Sequence, residues 1–199
     1  MMLFGQETRP IADFLPRILA HIDGVDEEMV ATLAMDAVIQ FARDSQILSE
    51  VVCVTLEPCI ESYKLHTRLR PYEVLAIRVF SHGREQPLHT SAIAVDRDFK
   101  TLYVQPNYCT GDNQVEVEFS VVPERDSEEV PAVIYEDWVE PVVAYTLARL
   151  HSQPDNQWYN VGEADRQMRL YQEFVRKARI NRISRGRPLQ MRLAGRREL

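Results

Sequence analysis

Hydrophobic positions in the first quarter of the chain recur every three or four residues, which is the spacing of an amphipathic helix. A second, longer stripe with this spacing follows the first, and the acids at positions 26–28 favour its start through the helix dipole. The pattern predicts a short helix over Asp13 to Ile22 and a long helix from about Asp26 to Ser45. Pro16 is tolerated because it falls in the first turn of the short helix. The apolar positions of the two stripes are Phe14, Leu15, Ile18, Leu19 and Ile22, then Met29, Val30, Leu33, Ala34, Ala37, Val38 and Phe41.

The pattern changes after residue 50 to short runs rich in β-branched and aromatic residues. These runs, CVTLEP, EVLAIRVF, TLYVQP and QVEVEFSVV, are bounded by Gly, Pro, Asn and Asp. In the last run apolar residues alternate with Glu116, Glu118 and Ser120, which predicts a half-buried strand. We predict a small antiparallel sheet of four or five strands over residues 51–122. The segment Arg84 to Ala94 fits either a strand or a turn.

Residues 130–150, VPAVIYEDWVEPVVAYTLARL, predict a helix that is apolar on two neighbouring faces and therefore largely enclosed. Pro131 suits the first helical position. Pro141 has no N–H to donate to the carbonyl of Asp137, so we expect a bend there. The two faces consist of Ile134, Trp138, Val142, Tyr145 and Arg149, and of Tyr135, Val139, Val143, Thr146, Leu147 and Leu150.

A last helix is predicted after residue 160, where Asn160 can cap the first turn and Glu163 can complete a capping box. Its apolar residues alternate at spacings of three and four, as in a helix packed in a bundle. Gly186 and Pro188 end it and leave an arm, SRGRPLQMRLAGRREL. The spaced positions are Val161, Ala164, Met168, Tyr171, Val175 and Ala178.

Together these elements predict an α+β fold, a helical bundle of about four helices with a small antiparallel β insertion and an extended basic C-terminal arm. We assign residues 1–50 and 129–183 to the helical bundle domain, 51–128 to the β insertion and 184–199 to the arm. A length of 199 residues, 45% of them hydrophobic and 27% charged, fits one domain with an insertion. The first ten residues lack a basic start and a sustained apolar run, and no apolar stretch reaches the roughly 18 residues of a membrane span, so neither export nor insertion is expected.

Charge is divided unevenly along the chain. Residues 176–199 contain nine Lys or Arg and one Glu, a formal charge of +8, so the net charge of −7 leaves −15 on the first 175 residues. A block of one sign is typical of an interaction segment or of a solvated end. An arm that binds a protein edge would use Arg185, Arg187, Leu189, Met191, Arg192, Leu193, Arg196 and Arg197. The arm could instead bind nucleic acid, but it has no aromatic residues for stacking and the acidic body would repel DNA.

The chain has few of the patterns that indicate catalysis. Its five histidines do not fall in a metal-ligand spacing, and neither phosphate-binding glycine motifs nor a GxSxG elbow are present. The cysteines, Cys53, Cys59 and Cys109, show no CxxC spacing and are interpreted as core thiols. We expect no enzyme activity, no cofactor and no metal, although an active site assembled from distant positions stays open.

The helical parts resemble the head-to-tail adaptor (connector) proteins of tailed bacteriophages, of the kind found in short-tailed phages. The resemblance lies in the order and spacing of residues across the helices, and the β insertion carries no specific match. Pro141 departs from the family pattern, where a good helix former is usual. The residues that carry the resemblance are Phe14, Leu15, Pro16, Arg17, Phe41, Arg43, Ser45, Val130, Pro131, Tyr135, Trp138, Leu147, Ala148, Leu150, Trp158, Ala164, Tyr171, Phe174 and Arg176 to Arg179.

This resemblance implies a structural virion protein, assembled in the host cytoplasm and located at the head-tail junction. Subunits would form a ring, a dodecamer if it follows the symmetry of the portal, that joins the portal protein to a downstream tail or nozzle protein while DNA passes through the lumen without specific binding. The arm would reach the portal or a neighbour. Packing within the bundle or between subunits is assigned to Trp138, Val142, Tyr145, Trp158, Tyr171 and Phe174. The alternative function is a nucleic-acid-binding regulator that uses the basic arm.

Overall fold

The computed structural model describes residues 7–87, 92–106 and 113–185, and these residues confirm the α+β class. The helices are a 3-10 turn at Ile11–Phe14, α1 at Leu15–Leu19, α2 at Glu27–Ser45, α3 at Ala132–His151 and α4 at Val161–Arg185. The strands are β1 (Thr8–Pro10), β2 (Ser49–Thr55), β3 (Ser62–Lys64), β4 (Arg70–Ser81), β5 (Arg84–Gln86), β6 (Ile93–Val95), β7 (Thr101–Val104), β8 (Asn113–Val122) and β9 (Glu129–Pro131).

The first two helices follow the predicted stripes, with a shift in the shorter one. Helical structure begins at Ile11 as a 3-10 turn and α1 ends at Leu19, because the next amide N–H groups, of His21 and Ile22, bond three residues back instead of four. In α2 the carboxylate of Asp26 accepts a hydrogen bond from the amide of Met29 at 3.0 Å, so the predicted acid at the start is the N-cap.

Helix α3 is broken at the predicted place. Trp138 has φ −136° and ψ 36°, outside the helical region, and Pro141 follows one turn later. The missing N–H of Pro141 and the steric demand of its ring on the preceding turn explain the break. Pro131 was expected as the first helical residue, but its ψ of 129° places it before the helix, as the last residue of β9.

Helix α4 begins with half of the predicted capping box. The side-chain oxygen of Asn160 accepts from the amide of Glu163 at 3.1 Å. The Glu163 carboxylate does not return the bond, because it accepts from Arg166 and Gln167 farther along the helix. The amide of Asn160 donates to the carbonyl of His151, which fixes the turn between α3 and α4.

The strands form more than the single sheet of four or five strands that the sequence predicts. A four-stranded antiparallel sheet has the order β2-β8-β4-β5, and a three-stranded one has the order β3-β7-β6. The prediction was wrong because TLYV, in β7, pairs with two three-residue strands, which are too short to show a periodicity. The ambiguous segment contributes two strands, β5 and β6, and residues 88–91 between them lie outside the described part.

Strand β8 joins the sheet to the helices. Val115, Val117 and Phe119 are fully buried, as the alternation predicts, and Arg78 of β4 bonds to Glu118 at 3.0 Å on the outer side. Ser120 was expected on the exposed face but is fully buried, because the end of β8 runs under α2 and both faces are covered there. A single hydrophobic cluster therefore includes residues of the helices and of the large sheet.

A two-stranded sheet, β1-β9, brings the start of the described chain to the start of α3. Thr8 pairs with Pro131 in register, and the amide of Ala132 donates to the carbonyl of Glu7 at 2.8 Å. No pattern in the sequence indicates this pairing, since each strand has only three residues. Helices α1, α2 and α3 contact one another, and α4 packs against α3 and α2.

Candidate functional site

An aromatic cluster lies where the three long helices meet. The ring of Phe41, on α2, has its centroid 5.7 Å from that of Trp138 and 6.4 Å from that of Tyr171. Tyr145 lies 4.9 Å from Tyr171, and Val142 beside it is fully buried. Four of the six residues assigned to packing therefore come together around Phe41, within one chain.

The other two packing residues lie at the edge of this cluster. Trp158, in the turn before α4, is half-buried, and its carbonyl is 2.8 Å from Nδ1 of His151. Phe174 is half-buried on α4, with the ammonium of Lys177 5.2 Å from its ring centroid. Both residues thus combine a buried side with an accessible one, in contrast to Trp138.

Helix α4 holds the C-terminal end of α2 through polar contacts. The hydroxyl of Tyr171 donates to the Asp44 carboxylate at 2.6 Å, and Nε of Arg179 donates to the Asp44 carbonyl. Arg182 reaches the side chain of Gln46, whose φ of 54° ends α2 in the left-handed conformation. Cations and N–H donors are favourable there, because the last carbonyls of a helix lack partners and carry the negative end of its dipole.

Two exposed acids of α3 form ion pairs with arginines of the N-terminal segment. Arg9 forms an ion pair with Glu136 at 3.3 Å, and Arg17 forms one with Glu140 at 3.2 Å. All four side chains are about half-exposed or more, so each pair adds little to stability. One pair precedes the break at Trp138 and the other follows it.

The C-terminal arm lies outside the described residues apart from its first turn. Ser184 and Arg185 end α4, and Arg187, Leu189, Met191, Arg192, Leu193, Arg196 and Arg197 are all beyond it. The prediction that these residues bind a portal or a neighbour stays a prediction.

A basic cleft lies between the segment from β3 to the start of β4 and the turn that leads into β7. It has a volume of about 1040 Å³. We use the name basic cleft for this cleft and the exposed basic side chains that line it, namely Lys64, His66, Arg68, Arg70 and Lys100. The acids on its rim are Asp98 and Glu124. Among the described residues none of the four lysines and arginines has an ion-pair partner.

The walls of the basic cleft are fixed by backbone contacts. The Glu50 carboxylate accepts from the amides of Arg68 at 2.8 Å and Leu69 at 3.1 Å, which attaches the loop after β3 to β2. On the opposite wall the amide of Leu65 donates to the carbonyl of Lys100 at 2.8 Å. The cationic side chains are therefore presented from a fixed backbone.

Sequence reasoning missed the basic cleft, although a signal was present. In KLHTRLR the basic residues occupy every second position from 64 to 70, which is the period that places side chains on one face of an extended chain. Lys100 could not have been added from the sequence, because only the pairing of β3 with β7 brings it to the same place.

The cysteines do not lie in the core as predicted. Cys53 and Cys59 are both exposed, and Cys109 lies outside the described residues. Cys53 falls on the outward face of β2, and Cys59 has φ 67° in a turn before β3. Desolvation against the sheet and the carboxylate of Glu116, its partner in register, raise the pKa of the Cys53 thiol, which disfavours the nucleophilic thiolate.

The titratable groups with shifted pKa values do not share a cavity. Burial, and the hydrogen bond to Asp44, raise the pKa of Tyr171. Hydrogen bonds from Arg166 and Gln167 lower the pKa of Glu163 to about 2. Across the described ranges no three His, Cys, Asp or Glu side chains are grouped closely enough to hold a metal ion, and no described helix is both long and apolar enough to span a bilayer.

We predict that Glu163→Gln slightly lowers stability at neutral pH and has no effect in strong acid. The pKa of Glu163 is lowered in the folded protein, so its contribution is present above the unfolded value of about 4.3 and is lost as the pH falls through about 2. Urea unfolding of both proteins at several pH values checks this, with Asp165→Asn, an exposed neighbour, as the control. A gap between the curves that stays constant down to pH 2 would contradict the assignment.

Comparison with known proteins gives little that identifies the chain. No protein-family model and no curated protein match it. Among solved structures it is similar to a chain of the neck of an empty GTA particle, computed with C6 symmetry. The match covers 84% of this chain and 95% of that chain, with 15% sequence identity and a TM-score of 0.33. This degree of likeness establishes neither a family nor a function.

Proposed function

We propose that this protein is a structural adaptor of a tailed-bacteriophage virion, without enzymatic activity, that forms a ring under the portal and joins the capsid to the tail. The proposal rests on where the residues that resemble the adaptor family lie in the structure. Among the packed helices, Phe14, Phe41 and Leu150 are fully buried, and Leu147 and Tyr171 are nearly so. The resemblance thus lies in the residues that determine how the helices pack.

The charge distribution supports passage of DNA through the ring. A polyanion moves freely along a wall that carries few cations, because each cation that neutralises a phosphate adds to a salt-dependent affinity. The chain has a net charge of −7, and its first 175 residues carry −15. We assign the acidic helical part of the protein to the lumen side of the ring. Contact with DNA there does not depend on the DNA sequence.

The remaining surfaces are assigned to protein partners. The arm of residues 184–199 reaches the portal protein or a neighbouring subunit, where its arginines find acidic groups and its leucines and methionine are buried. The β insertion provides the surface for the downstream tail or nozzle protein. The protein is placed at the head-tail junction of the virion, after assembly in the host cytoplasm, as a dodecamer that follows the portal.

The proposal is tested by mixing the purified protein with its cognate portal protein at moderate salt. We expect a complex on size exclusion and a ring beneath the portal in electron micrographs. A chain that ends at Arg185 is expected to bind roughly tenfold more weakly or worse, because it lacks the arm. A full-length variant with glutamine at Arg187, Arg192, Arg196 and Arg197 separates the effect of charge from that of length.

The outcomes separate the adaptor function from the role of the arm. Failure of the full chain to bind the portal would refute the adaptor function. Binding that is unchanged by truncation would refute only the docking role of residues 184–199. Duplex DNA binding that falls steeply with salt and disappears with the arm would favour the nucleic-acid-binding regulator instead.

A further inference from the structure

The basic cleft concentrates positive charge on a chain whose net charge is negative. Lys64, Arg68, Arg70 and Lys100 are exposed, line one cleft and lack ion-pair partners among the described residues. Some other arginines of the described surface form ion pairs with acids, as Arg125 does with Asp36 at 3.0 Å. Four lysine and arginine side chains line this cleft against two carboxylates, those of Asp98 and Glu124, so positive charge is in excess there and an anionic occupant is favoured.

A short acidic protein surface fits the basic cleft better than duplex DNA does. A duplex carries a charge every ~1.7 Å along its axis, so it would extend past the cleft onto the acidic surroundings and be repelled there. The carboxylates of Asp98 and Glu124 on the rim add to that repulsion. Phe99 is the one Phe, Tyr or Trp among the residues that line the cleft, and its ring packs edge-on against buried Phe119, which leaves it unsuited to stacking a base.

The same chain also has an exposed acidic patch. It consists of Asp23, Asp26, Glu27 and Glu28, at the start of α2. All four side chains are exposed, and in the described part of the chain none of them forms an ion pair with a lysine or arginine. Asp26 also caps α2, which fixes the position of the patch.

The acidic patch and the basic cleft lie at opposite ends of α2. The far end of this helix contacts the start of β4, where the side chain of Gln46 donates to Glu73 at 2.8 Å, and Arg70 of the cleft begins that strand. Nineteen residues of α-helix span roughly 28 Å. The two surfaces therefore do not meet within one chain.

We infer that the basic cleft of one subunit binds the acidic patch of a second copy of this chain. The inference rests on the proposed ring and names the surfaces that build it. A contact between two different surfaces is heterologous, and repetition of a heterologous contact closes a ring when the rotation between subunits allows it. Because the paired groups are exposed, the contact weakens as salt shortens the screening length.

The test uses two variants of the full chain with reversed charges. The cleft variant carries Lys64→Glu, Arg68→Glu and Lys100→Glu, and the patch variant carries Glu27→Lys and Glu28→Lys, with the Asp26 cap left intact. Sedimentation velocity at low salt is expected to show self-association of the natural protein and a loss of at least tenfold in affinity for either variant alone. The two variants mixed are expected to associate again, because reversed cleft and reversed patch now attract each other.

A control variant has the same change in net charge at exposed positions outside the cleft, Arg84→Glu, Arg169→Glu and Arg176→Glu. It is expected to associate as the natural protein does, which separates the local contact from general repulsion. Circular dichroism of every variant confirms folding. If a reversed variant does not fold, glutamine at the same positions replaces glutamate or lysine and the expected loss is smaller.

Each other outcome overturns the inference. A natural protein that stays monomeric at low salt, a cleft variant that associates normally, or a mixture that does not recover refutes the contact between cleft and patch. A cleft variant that loses duplex DNA binding and keeps self-association assigns the cleft to nucleic acid. None of these results depends on the portal, so a portal complex that forms alongside them leaves the adaptor function intact.

Discussion

Phe41→Ala is expected to destabilise the protein by about 3–5 kcal/mol. The Phe41 side chain is fully buried, and its ring contacts Trp138 of α3 and Tyr171 of α4. Removing it takes away the burial of an aromatic ring and leaves a cavity between three helices that cannot all move inward. Urea unfolding followed by far-UV circular dichroism measures the loss as a lower midpoint.

The matched control is Ile183→Ala, which also removes an apolar side chain. Ile183 is 71% exposed near the end of α4, so its change is expected to stay within ~0.5 kcal/mol at protein concentrations that keep the chain monomeric. A loss below about 1 kcal/mol for Phe41→Ala would show that the aromatic cluster is not the centre of the helical core.

Asp44→Ala is expected to cost about 1–3 kcal/mol, more than the roughly 1 kcal/mol expected for Tyr171→Phe. The hydroxyl of Tyr171 is buried, with the residue 3% exposed, and loses its acceptor in the first variant. In the second variant the Asp44 carboxylate is half-buried and can bind water in place of the hydroxyl. An unsatisfied buried donor is costlier than a hydrated acceptor.

The double variant makes this comparison decisive. Adding Tyr171→Phe to Asp44→Ala removes the stranded hydroxyl, so part of the lost stability is expected to return in urea unfolding. Asp44→Asn, which keeps an oxygen acceptor, is the control for the change in charge. Strictly additive losses in the double variant would mean that the hydrogen bond at 2.6 Å does not couple the two helices.

Features that depend on neighbours in the sequence could be predicted. The stripe and the acids at the start of α2 gave its bounds to within one residue, because Asp26 caps the helix locally. The break in α3 follows from one missing N–H at Pro141. The alternation of apolar and polar residues in β8 correctly predicted which side chains are buried, as far as Phe119. In each case the physical cause lies within one turn or one strand.

Features that depend on distant pairing could not be predicted. The sequence predicts one sheet, but TLYV pairs away from β8, with partners of three residues each. Ser120 is buried because α2 crosses the end of its strand, which no alternation indicates. The exposure of Cys53 depends on which face of β2 turns outward, and the general preference of free thiols for buried positions does not show this.

In the candidate site, too, features set by neighbouring residues could be predicted and features set by distant pairing could not. Helical spacing places Trp138, Val142, Tyr145 and Tyr171 on apolar stripes of α3 and α4, and Trp138, Val142 and Tyr171 are buried. Their assignment to packing within the bundle or between subunits stays a prediction. The alternating cations from Lys64 to Arg70 were also readable, but their meeting with Lys100 in one cleft depends on the pairing of β3 and β7.

The break at Trp138 has a consequence for how α3 forms. It divides the helix into residues 132–137 and 139–151, and hydrogen-bonded turns cannot propagate through a residue with non-helical φ and ψ. Isolated helices shorter than about 12–15 residues are marginal in water, so the first half is far too short to persist alone and the second half is at the limit. Both halves therefore depend on tertiary contacts for their existence, and α3 orders only when α2 and α4 are present to cover it.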